Sequence, residues 1–175
     1  MVFNNRQKNI TRTGTSSQRD AVPDPMLDGA FDGPCHHYPL RVHYEDTDAG
    51  GIVYHAQYLA FAERARSAWL RCLGIDQPAM LAAEKCGFVV RRIEIDFLLP
   101  SGLGTVLEVE SRLLGVGGAS LKLQQNIMNR ENGHILAQLV IELGLVELRE
   151  TNRVKICRLP TAIKTRFSGL VTLTS

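Results

Sequence analysis

One segment near the middle of the chain, residues 54–73, has the pattern of a helix that other structure must enclose. Apolar side chains recur at helical spacing over most of its circumference, namely Leu59, Phe61, Ala62, Ala65, Ala68, Trp69, Cys72 and Leu73. Arg64, Ser67 and Arg71 form the one polar stripe. A helix with so wide an apolar arc packs on several sides and does not lie on a surface. Gly74 follows as a helix stop, and the rest of the chain must wrap around this segment.

The sequence on both sides of the helix has the pattern of β-strands joined by short turns. A first strand is predicted over 37–44, and later strands over 89–97, 106–114, 120–129 and 134–148, with a short extension at 154–157. Short helices are predicted at 78–85 and 160–167. Because hairpin turns join successive strands, the sheet is antiparallel. The predicted fold class is therefore α+β, with a long central helix wrapped by a curved antiparallel sheet of about five strands.

One helix cannot cover so large a sheet, so we expect its remaining faces and edges to associate with a second copy of the chain. The sequence therefore predicts that the chain self-associates. A length of 175 residues fits a single domain. We predict the domain at 37–168, preceded by a disordered or loosely attached arm at 1–36 and followed by a tail at 169–175. The arm is polar up to residue 20 and then rich in proline and glycine.

Composition excludes several classes of partner. A formal net charge of +2, with no block of like charges, gives no reason to expect nucleic acid. No run of about 18 apolar residues is present, so no transmembrane segment is predicted. The four cysteines are far apart and lack CxxC spacing, which indicates reduced thiols and a cytoplasmic location.

The loop that leads into the helix, residues 45–55, concentrates the side chains that could do chemistry. It contains Glu45, Asp46 and Asp48, two adjacent glycines, and His55 at the predicted helix start. Turn formation and helix capping explain one or two of these residues. A carboxylate held beside the free N–H groups of a helix N-terminus is also suited to attack on a carbonyl group.

Metal-binding alternatives fit this chain poorly. Asp46-Thr47-Asp48 has the DxD form of magnesium-dependent phosphoryl-transfer enzymes, but no continuous apolar strand precedes it. An EF-hand would need glutamate where Gln57 stands, and Cys35-His36-His37 lacks the second half of a structural zinc site. The glycine-rich hairpin at 115–118 connects two strands, so no helix N-terminus faces a phosphate there. No metal ion and no cofactor are predicted.

The same loop carries a resemblance to a known family. Arg41-Val42, Thr47-Asp48, Gly51-Ile52-Val53, Tyr54-His55 and Tyr58, at their spacing, resemble the signature of the 4-hydroxybenzoyl-CoA thioesterase family. The unbroken stretch from Tyr44 to His55, together with Glu63-Arg64-Ala65-Arg66, is similar to the bacterial acyl-CoA thioesterases associated with the Tol–Pal system. The resemblance runs from about residue 38 to about residue 160.

This resemblance implies a hotdog fold, assembly into dimers or tetramers, and hydrolysis of a short- or medium-chain acyl-CoA or of an acyl carrier protein thioester. It implies that Asp48 is the nucleophile or general base, that the backbone N–H of His55 is the oxyanion donor, and that the pantetheine arm lies along the dimer interface. We expect Tyr54, Val90 and Ser120 to contact the substrate. Glu63 is the rival carboxylate, although an ion pair with a neighbouring arginine is its simpler role. The alternative function is a non-catalytic hotdog protein that binds acyl groups or a protein partner.

Overall fold

The computed structural model describes residues 24–147 and 155–171. Its helices are α1 (Pro25–Asp28), a short 3-10 helix (Tyr44–Asp46), α2 (His55–Cys72), α3 (Gln77–Glu84) and α4 (Thr161–Arg166). Its strands are β1 (Ala30–Asp32), β2 (Cys35–Arg41), β3 (Cys86–Phe97), β4 (Val106–Val116), β5 (Ser120–Asn129), β6 (Ile135–Glu147) and β7 (Lys155–Ile156). Within these ranges, no helix combines the length and the apolar character needed to cross a bilayer.

All the strands belong to one antiparallel sheet, in which the order is β1-β2-β4-β5-β6-β3 and β7 pairs with β6. Five of the seven described strands are long, and these are the five that the sequence predicts. β3 ends the strand order, so its outer edge is open in the single chain. The first strand, predicted at 37–44, begins two residues earlier, at Cys35, and ends at Arg41. The predicted end is too late because residues Tyr44–Asp46 form the 3-10 helix.

Helix α2 lies against one face of the sheet and contacts β2, β4 and β5. Its residues Phe61, Ala62, Ala65 and Trp69 are fully buried. The strands contribute alternate side chains to the same core, including Leu107, Val109, Leu113, Leu121, Leu123, Ile127, Leu139 and Ile141. Burying one large aliphatic side chain contributes about 1.5–3 kcal/mol. The predicted α+β fold with an enclosed central helix is therefore confirmed.

A buried polar cluster interrupts this apolar interface. Arg66 of α2 donates a hydrogen bond from Nη1 to Gln125 Oε1 on β5 at 2.8 Å. Gln125 Nε2 donates in turn to Ser111 Oγ on β4 at 2.9 Å and to the Ala62 carbonyl at 3.1 Å. Gln125 and Ser111 are fully buried and Arg66 is 4% exposed, and burial lowers the pKa of Arg66. The cluster joins α2 to the middle of the sheet through charged and polar groups.

The residues that precede β2 are packed on the domain. Asp28 accepts a 2.7 Å hydrogen bond from Arg71 Nε of α2. The fully buried His36 ring bonds through Nε2 to the Asp28 carbonyl at 2.8 Å, while His37 pairs with Glu108 on β4. Residues 24–36 fell within the predicted arm, yet they contain two ordered elements and the start of β2. The rest of that arm, residues 1–23, lies outside the described residues, as do 148–154 and 172–175.

Candidate active site

The loop between β2 and α2 is held in place by its own backbone and by one buried carboxylate. Asp46 is 1% exposed, and its Oδ2 accepts a 2.8 Å hydrogen bond from the His43 N–H, which caps the 3-10 helix. The Asp46 carbonyl accepts the Tyr54 N–H at 2.8 Å, and Thr47 forms a β-bridge with Val53. Asp46 therefore supports the loop from inside and is not available to a substrate.

Asp48 lies at the exposed tip of this loop, in a tight turn. The Gly50 N–H donates to Asp48 Oδ1 at 2.8 Å, and the Gly51 N–H donates to the Asp48 carbonyl at 3.0 Å. Gly51 has φ +76°, a conformation that costs little only for glycine. The Asp48 N–H donates to the Ile52 carbonyl at 2.9 Å. One carboxylate oxygen is thus fixed by the backbone, on a turn that closes directly before the helix.

Helix α2 begins at His55 without a side-chain cap, because the N-cap residue is Tyr54. The first N–H groups of a helix have no acceptor within the helix. The Gln57 N–H donates to the Tyr54 carbonyl at 2.8 Å. The N–H groups of His55 and Ala56 precede it and have no acceptor within the helix. Backbone donors at this position, together with the helix dipole, favour negative charge.

An apolar cavity of ≈ 290 Å³ opens beside this helix start. Its lining consists of Ile52, Val53, His55, Tyr58, Phe97, Leu98, Leu99 and Pro100. The Phe97 ring stands edge-on to His55 at 6.3 Å and to Tyr58 at 5.6 Å between ring centroids. Tyr58 is 3% exposed, and burial raises its pKa, so its hydroxyl stays neutral. A group bound in this cavity meets apolar surface on most sides and backbone N–H groups at one end.

The structure brings together only some of the residues that the sequence singled out. The rings of Tyr54 and His55 lie 4.3 Å apart, and the Asp48 turn pairs with Ile52 of the cavity wall. Val90 lies on β3 and is absent from that wall. Ser120, at the start of β5, borders a different groove.

The rival carboxylate, Glu63, is half exposed and is engaged by its neighbours on α2. It pairs with the buried Arg66, and one of its oxygens accepts a 3.3 Å hydrogen bond from Ser67 Oγ. The ion pair expected for Glu63 is therefore confirmed, and its carboxylate is tied to the polar cluster beneath the helix.

Sequence reasoning missed two features of this region. The first is the cavity wall formed by Phe97, Leu98 and Leu99, although three apolar residues in succession break the period-two alternation of β3 and mark it. The second is the buried cluster around Arg66, although Ser111 and Gln125 occupy inward positions in strands whose other inward residues are apolar.

Comparison with known proteins agrees with this geometry. The family described as "Thioesterase-like superfamily" matches residues 42–167. The acyl-CoA thioesterase YbgC of Haemophilus influenzae is 37% identical over 145 residues, which cover 83% of this chain and 99% of that protein. The acyl-CoA thioester hydrolase YbgC of Escherichia coli O6:H1 is 46% identical over 95 residues, covering 54% of this chain and 70% of that protein.

Solved structures extend the likeness to three dimensions. A probable thioesterase from Bartonella henselae superposes with a TM-score of 0.64 at 33% identity, covering 72% of this chain and 99% of that chain. A 4-hydroxybenzoyl-CoA thioesterase superposes with a TM-score of 0.72 at 12% identity, covering 77% of this chain and 99% of that chain, which is evidence of a shared fold alone. With its helix enclosed by an antiparallel sheet and the family match spanning most of its length, this chain has the hotdog fold and belongs to the thioesterase-like superfamily.

Proposed function

We propose that this protein is an acyl-CoA thioesterase that hydrolyses short- or medium-chain acyl-CoA to the free acid and CoA. The observation that carries the proposal is the placement of the Asp48 carboxylate on a turn that closes against a helix start with free N–H groups, beside an apolar cavity. The relatives named acyl-CoA thioesterase support the same reaction class.

In the proposed reaction, Asp48 acts on the thioester carbonyl as a nucleophile or activates a water molecule as a general base. Negative charge then develops on the carbonyl oxygen, and the N–H of His55 at the helix start stabilises it. One such donor contributes roughly 3 kcal/mol to lowering the barrier.

The leaving group and the acyl group suit the same site. The departing sulfur is a thiolate, which needs less protonation than an alkoxide or an amine would, so the reaction does not depend on a strong general acid. The apolar cavity accommodates an aliphatic acyl chain, and each buried methylene contributes about 0.8 kcal/mol. Apart from His55, the residues that line this cavity have no basic or acidic side chain. This lining supports an uncharged acyl group.

We further propose that the active form is a homodimer or a larger homo-oligomer in which a second copy covers the region around β3 and the start of α2. Apolar side chains there remain 42–54% exposed in the single chain, including Tyr54, Val90, Phe97, Leu98 and Leu99. An exposed apolar belt of this kind, next to an open strand edge, marks an interaction surface. The pantetheine arm would then run along β3 between the copies. Sedimentation equilibrium measures the assembly directly.

The Asp48→Asn variant tests the reaction. Asparagine keeps an Oδ1 acceptor for the Gly50 N–H, so the turn should survive while the negative charge is lost. We expect kcat to fall by roughly 10²- to 10⁴-fold, the usual contribution of a positioned base, with little change in melting temperature. The assay follows free thiol release from a series of acyl-CoA esters and from the matching acyl carrier protein thioesters.

Two matched variants complete the experiment. Glu63→Gln changes an exposed carboxylate on α2 and should retain most of the activity, because Glu63 pairs with Arg66. Asp46→Asn should lower the melting temperature. Its effect on kcat should be smaller, once the rate is normalised to the concentration of folded protein. Full activity in Asp48→Asn would refute the assigned mechanism, and wild-type protein that hydrolyses no thioester would favour the non-catalytic acyl-binding alternative.

The two roles of Asp48 differ in the fate of labelled oxygen. If the carboxylate attacks the carbonyl, an acyl–aspartyl anhydride forms and the CoA thiolate leaves. When water then attacks the aspartyl carbon of that anhydride, oxygen from labelled water enters Asp48 in a single turnover. If Asp48 is a general base, the label enters only the released acid. Label in the peptide that contains Asp48, measured by mass spectrometry, would therefore identify direct attack by the carboxylate.

A further inference from the structure

Two cysteine thiols outside the candidate active site lie in direct contact. The Sγ atoms of Cys86 and Cys157 are 3.0 Å apart, although the two residues are separated by 71 positions in the chain. Both cysteines are free thiols and both side chains are partly exposed. The S–S bond of a disulfide is about 2.05 Å long, so the two sulfur atoms need to approach by about 1 Å to be joined.

The two cysteines belong to strand ends that flank the same strand, β6. Cys86 is the first residue of β3 and is in register with Glu147. On the other edge of β6, Lys155 of β7 is in register with the same glutamate. Two residues later, the Cys157 N–H donates to the Leu145 carbonyl at 2.9 Å. Because alternate residues along a strand share a face, the sheet directs both cysteine side chains to one face, where their sulfur atoms meet.

The contact joins β3 to the C-terminal segment, which we define as residues 155–171. This segment pairs with the sheet through β7, a strand of two residues. Beyond β7, the Leu159 N–H donates to the Gly118 carbonyl at 2.8 Å, and the Phe167 ring stacks on Trp69 of α2 with centroids 5.4 Å apart. A covalent bond at Cys157 would therefore fix the start of a segment whose end packs on the core.

The hydrogen bonds of the two thiols give them different roles. The Lys155 carbonyl lies 3.8 Å from Cys157 Sγ and accepts its proton, so the arrangement that uses both thiol protons has Cys86 donating to Cys157 Sγ. This hydrogen bond, together with burial, raises the pKa of Cys86 to about 11. Since the thiolate is the nucleophile in disulfide exchange, Cys157 reacts first. Its reaction removes the hydrogen bond that held the proton on Cys86.

We propose that Cys86 and Cys157 are a reversible disulfide site that fastens the C-terminal segment to β3 in the presence of a low-molecular-weight disulfide such as oxidised glutathione. The Cys157 thiolate attacks one sulfur of oxidised glutathione, and the S–S bond breaks to release one glutathione. The Cys86 thiolate then attacks Cys157 Sγ and expels the second glutathione. Two cysteine thiols lose two electrons and two protons, and one oxidised glutathione becomes two thiols.

The expected consequence of the disulfide is higher thermal stability. A link between residues that are 71 positions apart restricts the unfolded chain far more than the folded one. We expect the oxidised protein to melt roughly 10 °C above the reduced protein. The site is independent of the proposed thioesterase function, and its readouts involve no thioester.

The test uses the full chain, equilibrated with glutathione at increasing ratios of the oxidised to the reduced form. Free thiols are then blocked by alkylation, and the peptides are identified by mass spectrometry. We expect one cross-linked pair of peptides, containing Cys86 and Cys157, while Cys35 and Cys72 remain alkylated. Excess reduced glutathione should reverse the link. Melting temperatures of the two forms are compared at one protein concentration.

Three serine variants complete the design. Cys86→Ser and Cys157→Ser should each abolish both the cross-link and the gain in melting temperature, and Cys86→Ser should retain a glutathione adduct on Cys157. Cys72→Ser is the matched control, because it removes another partly exposed thiol and should keep both effects.

Several results would overturn the proposal. These are a wild-type protein that forms no Cys86–Cys157 link in excess oxidised glutathione, a link that joins two chains or uses another cysteine, and a link that leaves the melting temperature unchanged. A gain in melting temperature that persists in Cys86→Ser would also overturn it. The comparison of oxidised with reduced wild-type protein decides the matter even where a variant folds poorly.

Discussion

Replacement of Gln125 by leucine tests how the buried polar cluster holds α2 on the sheet. The two side chains have similar volume, so the change removes hydrogen bonds with little change in packing. Gln125 accepts from Arg66 and donates to Ser111 and to the Ala62 carbonyl. All three contacts are buried, and none can be replaced by bulk water without opening the core.

The expected cost follows from what each partner loses. A hydrogen bond to a charged group contributes about 1.5–3 kcal/mol, and a buried hydroxyl left without a partner costs about 1–3 kcal/mol. The Ala62 carbonyl adds less, since it also lies within α2. We therefore expect Gln125→Leu to lower the free energy of unfolding by roughly 3–5 kcal/mol, which for a chain of this size lowers Tm by roughly 10 °C.

The double variant Arg66→Met/Gln125→Leu distinguishes this account from simple loss of packing. Replacing both members of a buried polar pair by apolar residues often changes the free energy of unfolding little. Each single change, in contrast, leaves the other member buried without its hydrogen-bond partner. We expect the double variant to lose less than about 3 kcal/mol, at least about 2 kcal/mol below the sum of the single changes. Glu63→Gln, at the exposed end of the cluster, should cost no more than about 1 kcal/mol.

The assay is urea denaturation followed by tryptophan fluorescence, since Trp69 is fully buried in α2. All variants are compared at one protein concentration, because subunit association shifts apparent stability. The reasoning fails if Gln125→Leu costs less than about 1 kcal/mol, or if the single costs add in the double variant.

Two further predictions concern the pH dependence of stability and the choice of substrate. Burial lowers the pKa of His36 below its usual 6.5, so the unfolded chain takes up that proton first and stability should fall as pH drops below 6.5. His36→Gln should flatten this slope in denaturation curves measured across that range, and an unchanged slope would assign it to other groups. Phe97→Ala removes an aromatic wall of the apolar cavity and should move the preferred acyl chain to a greater length, with kcat/KM gaining roughly fourfold per added methylene that is buried. An unaltered chain-length profile would place the acyl group elsewhere.

Much of the fold could be read from local patterns. The helical spacing of apolar residues from Leu59 to Leu73 indicates an enclosed helix, and β5 occupies the predicted range of 120–129. These patterns are reliable because side-chain burial follows the period of the local backbone. The prediction was weaker before β2, where Asp28 and His36 are buried through contacts with Arg71 and with each other, and such contacts leave no periodic signal.

The candidate site divides in the same way. The Asp48 turn and the uncapped helix start at His55 are local, since glycine conformation and the lack of a capping side chain determine them. The apolar wall from Phe97 to Leu99 lies some forty residues later in the chain and reaches His55 only because β3 forms the sheet edge beside the start of α2.

By itself, therefore, the sequence determined that one helix is enclosed by an antiparallel sheet and that a carboxylate lies at the start of that helix. The tertiary structure alone decided that the apolar wall from Phe97 to Leu99 meets the start of α2, and that Arg66 is buried against Gln125. The physical reason is that periodicity reports which face of an element is buried, whereas register and strand order decide what that face meets.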